Sequence, residues 1–203
     1  MRLFLGVAPD DQTRNAIAAL RAGIEARLGA GARAFRWTLA GNLHVTLHFL
    51  GDVPPDRLDE VRRFLGAPVE HPAFEASTGR LGTFPGRGAP RVVWLAVDRG
   101  AAGMSRLQAV LADRLRQLDL PVESRPFTPH FTLARARDRH APRHVHRVLA
   151  EIDPPAAAWR VASATLFRSD LSGAAPKYEP LVEAPLTGPR RTPSDLAGPR
   201  KMP

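Results

Sequence analysis

One short pattern is written twice. His44-Val45-Thr46-Leu47 opens the run HVTLHFLG, and His130-Phe131-Thr132-Leu133 opens the run HFTLARAR. The two histidines stand 86 positions apart (130 − 44), each in an apolar, strand-like context. A strand sends alternate side chains to opposite faces, so residues i and i+2 share one. In each copy His and Thr therefore point the same way, backed by apolar residues. A single His-x-Thr constrains little. Two copies in matching contexts call for two equivalent strands that face one cleft.

The rest of the chain supplies strands and helices around both copies. Residues 2–8 read as a strand, and Pro9-Asp10-Asp11 as a break with a helix N-cap. Ile17, Leu20, Ile24 and Leu28 recur at helical spacing, so a helix is expected over 11–28, ended by Gly29 and Gly31. Phe35-Arg36-Trp37 reads as a short strand, 43–50 as the first histidine strand, and Asp56 as the cap of a helix burying Leu58, Val61 and Leu65. Residues 73–81 read as extended. The Gly/Pro stretch 82–90 leads into the strand 92–97 rather than into a helix N-terminus, so it reads as a plain connection and not a phosphate cradle. Met104, Leu107, Val110, Leu111, Leu115 and Leu118 mark a helix near 103–119. Pro129 biases Thr128 to extended geometry and feeds the second histidine strand. A short helix over 142–150, one strand over 159–171 and a last strand near 178–186 follow. The pattern is α+β, with two similar lobes, each carrying one His-x-Thr strand, about a cleft.

Composition narrows the chemistry. There is no cysteine, which removes disulfides, thiolate nucleophiles and Cys-based zinc sites. No apolar run approaches the roughly 18 residues of a membrane helix, and the N-terminal apolar run is too short for an export signal, so a cytoplasmic protein is expected. Net charge is +9; residues 188–203 hold +3 of it, and +6 remains on 1–187, a balance that favours polyanions such as nucleic acid. Residues 188–203 are poor in apolar side chains and rich in proline, which predicts a disordered basic tail after a domain spanning 1–187.

Histidine titrates near 6.5, so one copy can be neutral while the other is protonated. A neutral imidazole takes a proton from a nucleophile and an imidazolium gives one to a leaving group. A threonine hydroxyl on the same face can donate to a non-bridging phosphate oxygen. Two histidines and two hydroxyls, with no acidic residue in either motif, suit a phosphodiester. The chemical rival is a metal: strict alternation puts His44 and His48 on one face, but their neighbours are Val, Thr and Leu rather than carboxylates. No metal and no cofactor are expected. His71, His140, His144 and His146 fall in loop or surface-helix contexts and read as solvated.

The paired motifs resemble the signature of the 2H phosphoesterases, and most closely that of the RNA 2′,3′-cyclic phosphodiesterases, also called 2′-5′ RNA ligases. The resemblance runs over residues 1–187 through MRLFLGV, NLHVTLHFLG, LGTFPGRGAPRVVWLAV, RPFTPHFTLARAR and LFRSDL…YEPL. It implies two pseudo-symmetric lobes, with antiparallel sheets lining a central cleft and helices outside. It implies metal-independent hydrolysis of RNA 2′,3′-cyclic phosphate ends to 2′-phosphomonoesters. It assigns His44 as proton donor to the leaving 3′ oxygen and His130 as proton acceptor from water, with Thr46 and Thr132 on the phosphate. It further implies an aromatic and an arginine beyond the motifs, by position Phe49 for the base and Arg135 for the phosphate. Strict alternation turns both away from the histidines' face and makes Phe49 a core residue.

The partner is then an RNA or oligonucleotide end, with no membrane, and a monomer is expected. Reverse joining, a 2′-5′ RNA ligase activity, is open by microscopic reversibility. Relatives in the superfamily point to ADP-ribose cyclic phosphates or 2′-5′ oligonucleotides as alternative substrates. A rival of another class is a non-catalytic RNA-binding module using the basic surface, which would have no need of either motif.

Overall fold

The Asp10 carboxylate accepts a hydrogen bond from the Thr13 amide at 2.8 Å, and Gly29 ends the same helix at φ 53°, a conformation that glycine adopts freely. Between them runs α1, Asp11–Leu28, with Ile17, Ile24 and Leu28 buried. The computed structural model describes residues 1–123, 125–138, 141–173 and 175–188. Strand β1, Arg2–Val7, precedes α1. After it come β2 (Phe35–Trp37), β3 (Val45–Asp52), α2 (Leu58–Leu65), β4 (Val69–Glu70), β5 (Phe74–Phe84), β6 (Val92–Val97), α3 (Ala101–Gln117), β7 (His130–Ala136), α4 (Val145–Ala150), β8 (Ala158–Val161), β9 (Ser163–Asp170) and β10 (Lys177–Thr187).

The strands run in the order β4-β10-β9-β1-β3-β7-β6-β5-β8, with β2 added on β7. All pairings are antiparallel except β4 with β10. The two histidine strands, β3 and β7, are neighbours at the centre, yet they pair only through Val45 and Phe131. That single pairing is a seam. It divides the sheet into one lobe of β4, β10, β9, β1 and β3 and another of β7, β6, β5, β8 and β2. The expected α+β class with two similar lobes is the observed one.

The lobes do not correspond to the two halves of the chain. Residues 159–171, expected as one strand, break at Ala162 into β8, which pairs with β5, and β9, which pairs with β1 and β10. The chain crosses there from the second lobe back to the first, because β1 needs a neighbour on each side. The helices cross as well. Helix α1 leaves the first lobe but packs against α4, and its Thr13 hydroxyl donates to Ala158 O of β8 at 3.4 Å. Helix α3 leaves the second lobe but packs against β3 and β4. Each lobe is thus covered partly by a helix that follows a strand of the other.

Two smaller expectations change. Asp56 makes no side-chain cap: α2 begins after a 3-10 turn, Pro55–Arg57, which takes the place of the cap. His71 is buried, at 4% exposure, donating Nδ1–H to Pro72 O at 2.7 Å and packing edge-on to Phe74. His144 is exposed, whereas half-buried His146 donates Nε2–H to Gly88 O at 2.9 Å. Of the expected tail over 188–203, residues 189–203 lie outside the described residues, as does His140.

Candidate active site

Both histidine strands break their alternation at the same place. Opposite β3, Leu5 of β1 pairs with His48 and the next residue, Gly6, pairs with Thr46, so Leu47 has no partner. This is a β-bulge, and one extra residue exchanges the faces of the residues that follow, here as far as a second irregularity that leaves Leu50 unpaired. Leu47 and His48 are consequently both buried, at 2% and 1%, and Phe49 emerges at 50% exposure. Opposite β7, Val93 of β6 pairs with Ala134 and Trp94 pairs with Thr132, leaving Leu133 without a partner. Leu133 and Ala134 are both buried, and Arg135 emerges. Each bulge sits three residues after its histidine.

The bulges settle which side chains reach the cleft. One cavity, about 530 Å³ to its open mouth, is lined by His44, Thr46, Phe49, Thr132, Arg135 and Tyr178, among others. Phe49 is therefore not a core residue, and neither Phe49 nor Arg135 is turned away, contrary to strict alternation. His48 is on the opposite face from His44. Its Nε2–H donates to Gln108 O of α3 at 2.7 Å, so the two imidazoles do not share a face as a metal pair would.

The two histidines are held alike. His44 donates Nδ1–H to Asn42 O at 2.8 Å, and His130 donates Nδ1–H to Thr128 O at 2.6 Å. A carbonyl can only accept, so each ring is fixed by the carbonyl two residues upstream and keeps its Nε2 for other partners. The Thr46 hydroxyl donates to His44 Nε2 at 2.9 Å. The Asn42 side chain donates Nδ2–H to Pro176 O at 2.6 Å, which ties the segment before His44 to the approach to β10. Gly6 makes room for the ring: a Cβ there would meet His44 Cδ2 at 3.3 Å and Val45 O at 3.0 Å.

Aromatic rings stand behind each imidazole. Phe4 lies 4.6 Å from the His44 ring and Tyr178 meets it edge-on at 5.2 Å, while Phe4 stacks on Phe167 at 5.0 Å. His130 meets Phe84 edge-on at 5.3 Å, with Trp94 at 6.3 Å. The stretch 82–90 is thus more than a connection, since its Phe84 forms part of the wall at His130. Burial lowers the His44 pKa from 6.5 to about 4; the Asn42 carbonyl opposes this, and the charges of Arg135 and His130 add to it. Burial lowers the His130 pKa as well, opposed by the Thr128 carbonyl and assisted by Arg135.

Sequence reading missed Phe4, Asn42, Phe84 and Tyr178 as parts of the site. Phe4 sits in a strand with buried residues on both faces, so nothing local distinguishes it. Tyr178 is the only tyrosine of the chain, but its place beside His44 follows from the return of β10 to the first lobe.

Two mirrored His-x-Thr strands at the seam of a two-lobed antiparallel sheet define a 2H phosphoesterase. The sequence profile of the 2′-5′ RNA ligase superfamily matches residues 9–173, and the chain belongs to that superfamily. An RNA 2′,3′-cyclic phosphodiesterase of Thermus thermophilus is 36% identical over 200 residues, covering 93% of this chain and 91% of its own length. One of Geobacillus stearothermophilus is 32% identical over 153 residues, covering 75% of this chain; the chain spans 48% of that relative's length. The crystal structure of Escherichia coli LigT complexed with 3′-AMP superposes with a TM-score of 0.71 at 27% identity, covering 92% of this chain and 98% of that one.

Proposed function

We propose that residues 1–187 form a phosphodiesterase that opens RNA 2′,3′-cyclic phosphate ends to 2′-phosphomonoesters without a metal. The observation that carries this reading is the mirrored pair. Two imidazoles are each tethered through Nδ1 to the carbonyl two residues upstream; His44 lines the cavity with both threonines and Arg135, and His130, outside that lining, is close enough for its charge to lower the His44 pKa. The names of the Thermus and Geobacillus relatives, and the nucleotide bound to LigT, point to the same substrate class.

In the proposed reaction the hydroxyls of Thr46 and Thr132 and the Arg135 guanidinium hold the non-bridging phosphate oxygens. His130 Nε2 takes a proton from water as the water oxygen bonds to phosphorus. The bond from phosphorus to O3′ breaks, and His44 Nε2–H protonates O3′ as it leaves. The products are a 2′-phosphomonoester and a free 3′ hydroxyl. His44 is neutral in the free protein at neutral pH, because burial holds its pKa at about 4. An arriving phosphate anion favours the imidazolium and accepts the Thr46 hydroxyl that now bonds Nε2. Binding thereby charges the acid. With an RNA 5′ hydroxyl in place of water as the nucleophile, the same forward attack would form a 2′-5′ bond and release the 3′ hydroxyl.

General acid and general base each contribute roughly 10²–10⁴-fold. His44→Ala and His130→Ala should each lower kcat on a nucleoside 2′,3′-cyclic phosphate by about that factor, while a chelator leaves the parent enzyme unchanged. Full activity in either variant would refute the paired-histidine mechanism.

A further inference from the structure

His44 stands in a partition with a cavity on each side. The first, described above, holds Thr46, Thr132, Arg135 and Phe49. The second, about 590 Å³ to its mouth, is lined by Arg14, Gly41, Leu43, Thr165 and Glu183, among others. The two share only Asn42, His44 and Tyr178.

The chemistry of an RNA end explains a two-sided arrangement. The ribose bearing the cyclic phosphate must bring O3′ to His44 Nε2, so the sugar lies at the partition. From that sugar the base departs at C1′ and the 5′ phosphodiester departs through C4′ and C5′, from the two carbons that flank the ring oxygen. The first cavity offers the half-exposed Phe49 ring, a surface on which a base can stack. The second offers a cation and polar groups. Arg14 is positioned by Nη1 to the Asp11 carboxylate at 2.5 Å and Nη2 to Pro9 O at 3.2 Å, and its buried Nε has no hydrogen-bond partner. Asp11 and Glu183 offset the charge of Arg14, so the cavity suits a diester with its nucleoside better than a bare anion. The Glu183 carboxylate can accept from a ribose hydroxyl or an exocyclic amine.

We propose that the second cavity receives the penultimate nucleotide, so that two nucleotides of the RNA end are bound, one on each side of His44. The proposal rests on the cyclic phosphodiesterase reading above.

Gly41 provides a direct test. It lines the second cavity, and a Cβ built on it meets nothing within 4 Å, so Gly41→Phe adds bulk there without a clash at the backbone. Three substrates are compared by kcat/KM: a nucleoside 2′,3′-cyclic phosphate, its 5′-phosphorylated form and the dinucleotide bearing the same end. The parent enzyme should favour the dinucleotide over the mononucleoside by about tenfold or more, the scale of one stacked or polar nucleotide contact. The 5′-phosphorylated form should gain little. The dinucleotide-to-mononucleoside ratio should fall towards one in Gly41→Phe and fall in Arg14→Gln, with Gly41→Phe melting like the parent. No dinucleotide preference in the parent, or a preference that survives Gly41→Phe, would overturn the subsite. An equal gain from the 5′ phosphate alone would reduce it to a phosphate contact and overturn the nucleotide assignment. Failure to turn over even the mononucleoside would instead overturn the underlying reading of the reaction.

Discussion

At the scale of residues, His44 carries the strongest tension between environment and proposed task. Phe4, Phe167 and Tyr178 surround it, and burial holds its pKa near 4, while a general acid must carry a proton. His130 is displaced in the same direction, below 6.5. In the proposed reaction the productive free-enzyme form has His44 protonated and His130 neutral, and kcat/KM reports the pKa values of the free enzyme. Both values lie below 6.5. The bell in kcat/KM should therefore peak below pH 6.5 and decline through neutrality. The bell in kcat should lie at higher pH, because the bound phosphate anion raises both imidazoles. Parallel pH profiles of the two constants check this, and a kcat/KM maximum above pH 7 would contradict it.

At the scale of elements, the bulges at Leu47 and Leu133 decide the site. The strands themselves, the helix α1 with its Asp10 cap, and the shared face of each His-Thr pair were legible in the sequence, since period, cap and breaker are local signals. The bulges were not. A bulge is set by the register against β1 and β6, and β3 and β7 read equally well as unbroken alternation. Hence Phe49 and Arg135 pass from the wrong face to the right one, and His48 passes from the cleft to the core. The division at Ala162 was hidden for the same reason, since it depends on which lobe each strand joins. Adjacent residues across the first bulge should accordingly give opposite results. Phe49→Ala should raise KM for a nucleotide substrate and leave stability within about 0.5 kcal/mol. His48→Ala should leave KM alone and cost roughly 1–3 kcal/mol in urea unfolding, as the loss of a buried hydrogen-bonded group. The reverse pattern would mean that β3 runs without its bulge.

At the scale of the whole molecule, the lobes share one strand pairing at the seam but exchange helices across it. Bending at Val45 and Phe131 would therefore move α1 and α3 as well as the strands. Among the described residues, no helix is long and apolar enough to cross a membrane. Three half-buried or buried imidazoles, His44, His48 and His130, have pKa values lowered by burial, so folding favours their neutral forms. Their contribution to stability is complete above the unfolded value of 6.5 and is lost as pH falls below it, towards about 4 for His44. The urea midpoint should drop between pH 7 and pH 5, before most carboxylates titrate, and less steeply in His48→Leu. A midpoint flat over that range would contradict the burial of these rings.

The most direct test of the central claim is the product of one reaction. Purified protein, with excess chelator, is given a nucleoside 2′,3′-cyclic phosphate, and the monoester formed is identified by phosphorus NMR. Turnover to the 2′-phosphomonoester is the expected result. Formation of the 3′-phosphomonoester, or no turnover until a metal is restored, would contradict it.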